Sequence, residues 1–314
     1  MPDSKSIPLA GSDEVRIRQG VELAKHCRFG VGGPADWFVE VRSAADIREA
    51  YRFARERELP CFTYSGGSNL FFDSRGFRGL VVRLIGGGWN VDPDSLVVDV
   101  SSGTDLPLLI RNLARLGIGG ADFLGNIPGA VGGAVVGNAG CYGQSIDDML
   151  ISAEIYDIET DTMFTAEPDY FEFSYRHSRL KYDPLRMVVS ASLQFQEADP
   201  LATLEAVEEE LQLRLSKHPH DSRCAGSFFK NISREQSAWR IITDAGMADS
   251  RVGGAQLSPM HANFLVNEDA ASSDDILALC RMVQRGVREK LGIEMETEVR
   301  YVGQFGIEEI RPES

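Results

Sequence analysis

Three glycine-rich runs offer this sequence its clearest opportunity for chemistry: FGVGGPAD at 29–36, YSGGSNLFF at 64–72 and FLGNIPGAVGGAVVGNAGCYGQS at 123–145. The second directly follows PCFTY, which reads as a strand. A turn made of Gly66, Gly67, Ser68 and Asn69 can direct several backbone N–H groups and two side-chain donors at one anion, such as a diphosphate. A plain tight turn has the same composition. The third run holds seven glycines and six alanines or valines. That is too much glycine for a stable helix interior and too many interruptions for a long strand. It is expected to be bare backbone that something flat can approach, or else a place of tight internal packing. None of the runs is a G-x-G-x-x-G between a strand and a helix, so the usual dinucleotide-binding fold is not indicated.

The elements that must position these runs alternate in an α+β manner. DWFVEV (36–41), RGLVVRL (78–84), LVVDVS (96–101), LISAEIYD (150–157) and MVVSASLQF (187–195) have the β-branched and aromatic content of strands. A helix is expected after Ser43, with Asp46 three residues on and Pro60 as its stop. A second begins near Pro107 and ends before Gly117. Near residue 197 the character changes, and PLATLEAVEEELQLRLSKHP reads as a charged connecting helix. The last helix is capped by Ser272 or Ser273, with Asp274 and Asp275 suited to its positive end. Ile276, Cys280, Val283, Val287 and Leu291 form its apolar stripe, and Gly292 ends it.

The chain has 314 residues, enough for two or three domains, and 43% hydrophobic with 25% charged residues is an ordinary globular composition. No apolar run approaches the roughly 18–20 residues of a membrane helix, and the N-terminus lacks the apolar core of a secretory signal. The five cysteines, Cys27, Cys61, Cys141, Cys224 and Cys280, form no C-x-x-C pair, so neither a disulfide framework nor a zinc or other metal site is indicated. A reducing cytoplasm is the expected location. A net charge of −15 opposes nucleic-acid binding and would also repel an anionic substrate. Local Arg, Lys and N–H groups would have to overcome that field.

Seven motifs in order, RFGVGGPAD, YSGGSNL, IPGAVGGAVVGNAG, FSYRHSRLK, AGSFFKN, HANFLVN and METEVRYVG, resemble the vanillyl-alcohol-oxidase-like flavoproteins. More narrowly they resemble the UDP-N-acetylenolpyruvoylglucosamine reductase family, over residues 25–303. The resemblance implies an α+β fold: a PCMH-type FAD-binding domain in two subdomains, 1–85 and 86–197, and a substrate-binding domain, 198–314. It implies a cytoplasmic enzyme of peptidoglycan precursor synthesis, in which NADPH reduces FAD and the hydride passes on to the enolpyruvyl ether of a UDP-sugar. A monomer with no nucleic-acid or membrane partner is expected.

The same resemblance implies that FAD lies against Tyr64, Ser65, Gly66, Gly67, Ser68, Asn69 and Leu70 on one side. On the other it implies Ile127, Pro128, Gly129, Gly132, Gly133, Asn138, Ala139 and Gly140. Attachment is expected to be non-covalent, because YSGGSNLFF offers neither His nor Cys, and Cys141 reads as a small buried residue. Three catalytic residues are implied: Arg176 to grip the carboxylate, Glu298 to stabilise the enolic charge, and Ser227 to give a proton. Lys230 and Asn231 are candidates for holding the substrate's diphosphate or tuning Ser227. Glu296 is the alternative to Glu298, since on a strand both would face one side. His261 is given no chemical role. Ile232 stands where the family has Pro, and Trp239 and Asn126 where smaller residues are commoner. The short stretch 232–260 points to the compact subtype. An oxidase of the same superfamily and a non-catalytic binder are the competing readings.

Overall fold

The computed structural model describes residues 6–12, 14–219, 221–233 and 235–310. In chain order the first elements are β1 (Ser6–Pro8), β2 (Arg16–Glu22), β3 (Pro34–Val41), α1 (Ala44–Arg55), β4 (Cys61–Tyr64) and β5 (Leu70–Phe72). Then come β6 (Phe77–Leu84), β7 (Trp89–Val91), β8 (Val97–Ser101), α2 (Leu106–Arg115) and α3 (Val131–Gly137). Three more helices follow: α4 (Pro200–Lys217), α5 (Ala238–Asp244) and α6 (Ser273–Leu291). Two compact units result. One is made of Met1–Arg18, Phe38–Gly66 and Val81–Arg214, the other of Gln19–Trp37, Gly67–Leu80 and Leu215–Ser314.

Local chemistry explains where the helices begin. Ser43 Oγ accepts from the Asp46 N–H at 3.1 Å and the Asp46 carboxylate accepts from the Ser43 N–H at 3.2 Å, a reciprocal box that opens α1. The Asp105 side chain accepts from the Leu108 N–H at 2.9 Å at the start of α2. For α6 the cap is Ser272, not Ser273, with Asp275 completing the box. Gly292, at φ +70°, closes that helix in the left-handed conformation. Its stripe is buried at Ile276, Cys280, Val283 and Val287, but Leu291 is 41% exposed. As the last residue of the helix, Leu291 lies past the end of the core it was expected to join.

In the first unit a five-stranded sheet has the order Thr162–Ala166, Leu150–Asp157, Arg186–Gln194, β8, β7, all antiparallel. Helices α2 and α3 cover it through a core that includes Val98, Val100, Leu109, Leu113, Val131, Val135, Ile155 and Leu193. Each such aliphatic side chain contributes about 1.5–3 kcal/mol by leaving water. A second five-stranded sheet has the order β1, β2, β3, β6, β4.

Helix α3 corrects an expectation. The run VGGAVVG at 131–137 is helical despite its three glycines. Its stability comes from burial of Val131, Ala134 and Val135 rather than from propensity. Glycine is required at one point: a Cβ on Gly132 would lie 2.5 Å from Ser102 Oγ. The helix stops at Asn138, itself left-handed at φ 45°.

In the second unit a three-stranded antiparallel sheet joins Arg251–Val252, Ala255–Ser258 and His261–Asn267. β5 runs parallel to Arg300–Val302, with Leu70 opposite Arg300 and Phe72 opposite Val302. The core here includes Phe228, Phe229, Ile242, Leu265, Leu279 and Val283. Among the described residues, no helix is long and apolar enough to cross a membrane, and no group of three or more metal-ligating side chains gathers. All five cysteines are free.

Candidate active site

Two of the three glycine runs meet. β4 ends at Tyr64, and in the loop that follows a Cβ on Gly66 would lie 2.8 Å from Gly129 Cα and 3.0 Å from Ala130 N. Gly129 holds a φ of +142°, open to glycine alone without strain. On the far side the 129–132 segment is pinned by backbone bonds. Leu106 N–H donates to Gly129 O at 3.0 Å, Val131 N–H to Thr104 O at 3.0 Å, and Gly132 N–H to Ser102 O at 2.9 Å. Thr104 Oγ1, in the same strip, is buried with no hydrogen-bond partner among the described residues. Ser65 Oγ stands 3.4 Å from where a Gly133 Cβ would be. The result is a cradle of bare backbone and small hydroxyl groups, which fits a flat dinucleotide with a diphosphate.

The third run, 29–36, does other work. A Cβ on Gly32 would lie 2.8 Å from the Phe72 Cβ, so glycine there allows close packing. The Asn267 amide donates to the carbonyls of Phe29 at 3.2 Å and Gly30 at 3.3 Å.

Arg176 lies in the first unit, in a tight turn closed by Ser174 N–H to His177 O at 3.1 Å and His177 N–H to Ser174 O at 3.0 Å. Its φ is +56°, a strained conformation costing on the order of 1–3 kcal/mol. The surroundings hold it there. Lys181, only 3% exposed, donates its ammonium to Arg176 O at 2.7 Å. Asn138 Nδ2 donates to Ser174 O at 3.1 Å, Ser178 Oγ to Val136 O at 2.7 Å, and Arg176 Nη1 to Asn138 O at 3.5 Å. The Arg176 turn and the end of α3, where Asn138, Ala139 and Gly140 lie, are therefore one assembly.

In the second unit, Ser227 is half-buried and follows Gly226, whose φ of +82° turns the chain. The next two residues are anchored by their rings, both 1% exposed. Glu298 N–H donates to Phe228 O at 2.8 Å, and Lys230 N–H donates to Glu296 O at 2.9 Å. The Ser227 and Glu298 segments thus run side by side. Asn69 joins them to the start of β5: its Nδ2 donates to Glu298 O at 3.2 Å and its own carbonyl accepts from Arg300 N–H at 3.1 Å.

Glu296 and Glu298 have different surroundings. Regular pairing begins only at Arg300, and the residue between them, Thr297, makes an isolated bridge with Phe229. Glu296 is exposed and ion-paired to Lys230 at 2.9 Å, whereas Glu298 is half-buried. Asn231 Oδ1 is committed to the Ala238 N–H at 2.9 Å, where it caps α5 in place of Ser237. The pKa of His261 is lowered by burial, which disfavours its charged form, and its ring lies among those of His218, Phe264 and Trp239. Asn126, larger than expected, is bonded at both ends, to Val207 O at 2.8 Å and from Arg111 at 3.1 Å. Trp239 is 40% exposed, with the Arg240 guanidinium 5.2 Å from its ring centre.

Two residues escaped the sequence reading. Asn263 holds the chain just after Ser227, and its signal was an amide followed by the apolar residues Phe264, Leu265 and Val266 in HANFLVN. Lys181 carried none, since a Lys in RLK looks like any solvated cation.

Comparison with known proteins identifies the family and its cofactor. Residues 35–166 match the FAD binding domain family model, and the chain is an FAD-dependent oxidoreductase with the vanillyl-alcohol-oxidase-like α+β fold. Residues 218–302 match the UDP-N-acetylenolpyruvoylglucosamine reductase C-terminal domain model. The reductase of Synechococcus sp. WH7803 is 38% identical over 293 residues, 91% of this chain and 93% of that protein. That of Trichormus variabilis is 34% identical, over 96% of this chain and 91% of the relative. The crystal structure of the Thermus caldophilus reductase superposes with a TM-score of 0.76 at 31% identity, covering 91% of this chain and 99% of that one. The chain belongs to the UDP-N-acetylenolpyruvoylglucosamine reductase family.

Proposed function

We propose that this protein reduces the enolpyruvyl ether of UDP-N-acetylglucosamine enolpyruvate to UDP-N-acetylmuramate, a precursor of peptidoglycan, with NADPH as reductant. The observation that carries this reading is the 2.8 Å bond from Glu298 N–H to Phe228 O, which keeps a carboxylate and the Ser227 hydroxyl on adjoining backbones. FAD, when bound, supplies the hydride it has taken from NADPH.

The chain's own residues do the rest. Tyr64, Ser65 and Gly66, with Ile127, Pro128, Gly129, Gly132, Gly133, Asn138, Ala139 and Gly140, would hold the cofactor without a covalent bond; the approach of Gly66 to Gly129 and of Ser65 to Gly133 supports this. Gly67, Ser68, Asn69 and Leu70 continue the same loop. Addition of hydride to the methylene carbon leaves negative charge on the neighbouring carbon and its carboxylate. Arg176 meets that carboxylate with a planar fork of N–H donors. Ser227 gives its hydroxyl proton to the carbon and must be reprotonated to complete the cycle, while Glu298 stabilises the enolic form. Lys230 leaves Glu296 for the substrate's diphosphate. Asn231 uses Nδ2, its oxygen being engaged on α5. We read the enzyme as a cytoplasmic monomer of the compact subtype.

The test is anaerobic. Purified protein should show flavin absorption, lose it with NADPH, and regain it rapidly with the enolpyruvyl substrate and slowly with air. A protein that binds no FAD, or one reoxidised by air as fast as by substrate, would overturn the proposal.

A further inference from the structure

Asn263 is 2% exposed, and the chemistry above makes no use of it. It sits where the strand His261–Asn267 loses register with its neighbour, between the pairs Leu257–Leu265 and Ser258–His261. That irregularity turns its backbone toward the Ser227 segment, and Phe228 N–H donates to Asn263 O at 2.7 Å. The side chain adds two bonds. Asn263 Oδ1 accepts from Phe229 N–H at 2.9 Å, and Asn263 Nδ2 donates to Phe229 O at 2.9 Å. A primary amide here reproduces the donor and acceptor of a neighbouring strand. With Glu298 N–H on Phe228 O, all four backbone polar groups of Phe228 and Phe229 are satisfied, three by Asn263 and one by Glu298.

We propose that Asn263 is a positioning residue: by fixing the two peptide units between them, it sets how the Ser227 hydroxyl stands to the Glu298 carboxylate. An apolar side chain could fill the same volume, but it would leave the Phe229 N–H and C=O buried and unpaired. Gly226 would not resist the resulting shift. It turns freely at φ +82°, and nothing lies within 4 Å of its missing Cβ. Ser227 therefore takes its position from the residues after it.

The inference rests on the reading of Ser227 as proton donor, and the experiment separates the two. Asn263→Ala and Asn263→Asp are made alone and with Ser227→Ala in the FAD-loaded enzyme. Asp keeps the acceptor for Phe229 N–H but sets an oxygen against Phe229 O. Flavin absorbance is followed by rapid mixing for each half-reaction, and substrate affinity for the oxidised enzyme by calorimetry. Reoxidation by saturating substrate should slow about 10–100-fold, the scale of a misplacement near 1 Å. Reduction by NADPH and substrate affinity should stay within a few-fold. In the Ser227→Ala background the same substitution should cause almost no further loss. Multiplying losses, or equal slowing of both half-reactions, would overturn the positioning role. If Ser227→Ala alone reoxidises at the wild-type rate, it is the Ser227 assignment that falls, and the positioning role with it. Should Asn263→Ala fail to fold, the same comparison is read from Asn263→Asp.

Discussion

Gly66→Ala tests whether the cradle binds through close approach of bare backbone. Gly66 does not have a left-handed φ, so alanine is conformationally permitted and would by itself gain about 0.4–1 kcal/mol by restricting the unfolded chain. Against that, the new methyl would lie 2.8 Å from Gly129 Cα and 3.0 Å from Ala130 N, both backbone atoms. The 129–132 segment cannot retreat easily, since three hydrogen bonds of 2.9–3.0 Å pin it to 102–106. Overpacking of this kind costs about 1–3 kcal/mol. If that cost falls on the loaded state, FAD affinity drops roughly 5–150-fold. Fluorescence titration of the apoprotein with FAD reads this directly, and thermal melting with and without FAD shows how much falls on the apo fold. Gly226→Ala is the contrast, a position with strain in φ but open space for the methyl. It should lower the melting temperature slightly and leave FAD affinity unchanged. A Gly66→Ala protein that binds FAD like the wild type would refute the steric account of the cradle.

Ser227→Ala should slow reoxidation by substrate by roughly 10²–10⁴-fold and leave reduction by NADPH nearly unchanged, and stopped-flow absorbance of each half-reaction checks it. Arg176→Lys keeps the charge but loses the fork, so the substrate half-reaction should slow with flavin reduction within a few-fold; equal damage to both would assign Arg176 to the flavin or the fold. Glu296→Gln releases Lys230 from an ion pair in which the carboxylate is 77% exposed. Exposed pairs contribute up to about 1 kcal/mol, so KM for the UDP-sugar should fall up to about fivefold with kcat unchanged, measured at low salt. His261 has a folded-state pKa below its unfolded value, so its stabilising contribution is present above the unfolded pKa and is lost as pH falls below it. His261→Gln should flatten the acid limb of melting temperature against pH.

What the sequence made legible was local. Ser43 with Asp46, Ser272 with Asp275, and Gly292 act within one turn, so residue type and spacing suffice to place α1 and α6. The two glycine runs that meet at Gly66 and Gly129 were visible for the same reason, as glycine where backbones approach closely. Helix α3 was not, because its glycine content argues against a helix locally, while the reason for Gly132 is Ser102, in a different element. Glu296 and Glu298 looked like neighbours on a strand face, but the bridge at Thr297 and the Lys230 ion pair give them different surroundings. Asn231 was visible as a polar residue near Ser227, yet its bond to Ala238 joins positions seven residues apart, which local spacing does not announce. The adjacency of Ser227 and Glu298 is written in backbone bonds, which side-chain identity does not encode.

Asn69 has a consequence for how such a gene can change. Its amide and its carbonyl are spent on residues 298 and 300, nearly at the other end of the chain, and the parallel pairing of β5 with Arg300–Val302 starts at the next residue. An insertion or deletion at the end of this loop, between Asn69 and Leu70, would therefore force a choice between the Asn69 bond to the Glu298 carbonyl and the register of β5 with the strand that follows Glu298. Among descendants of this sequence, the loop should tolerate exchange of side chains far more readily than a change in length at that point.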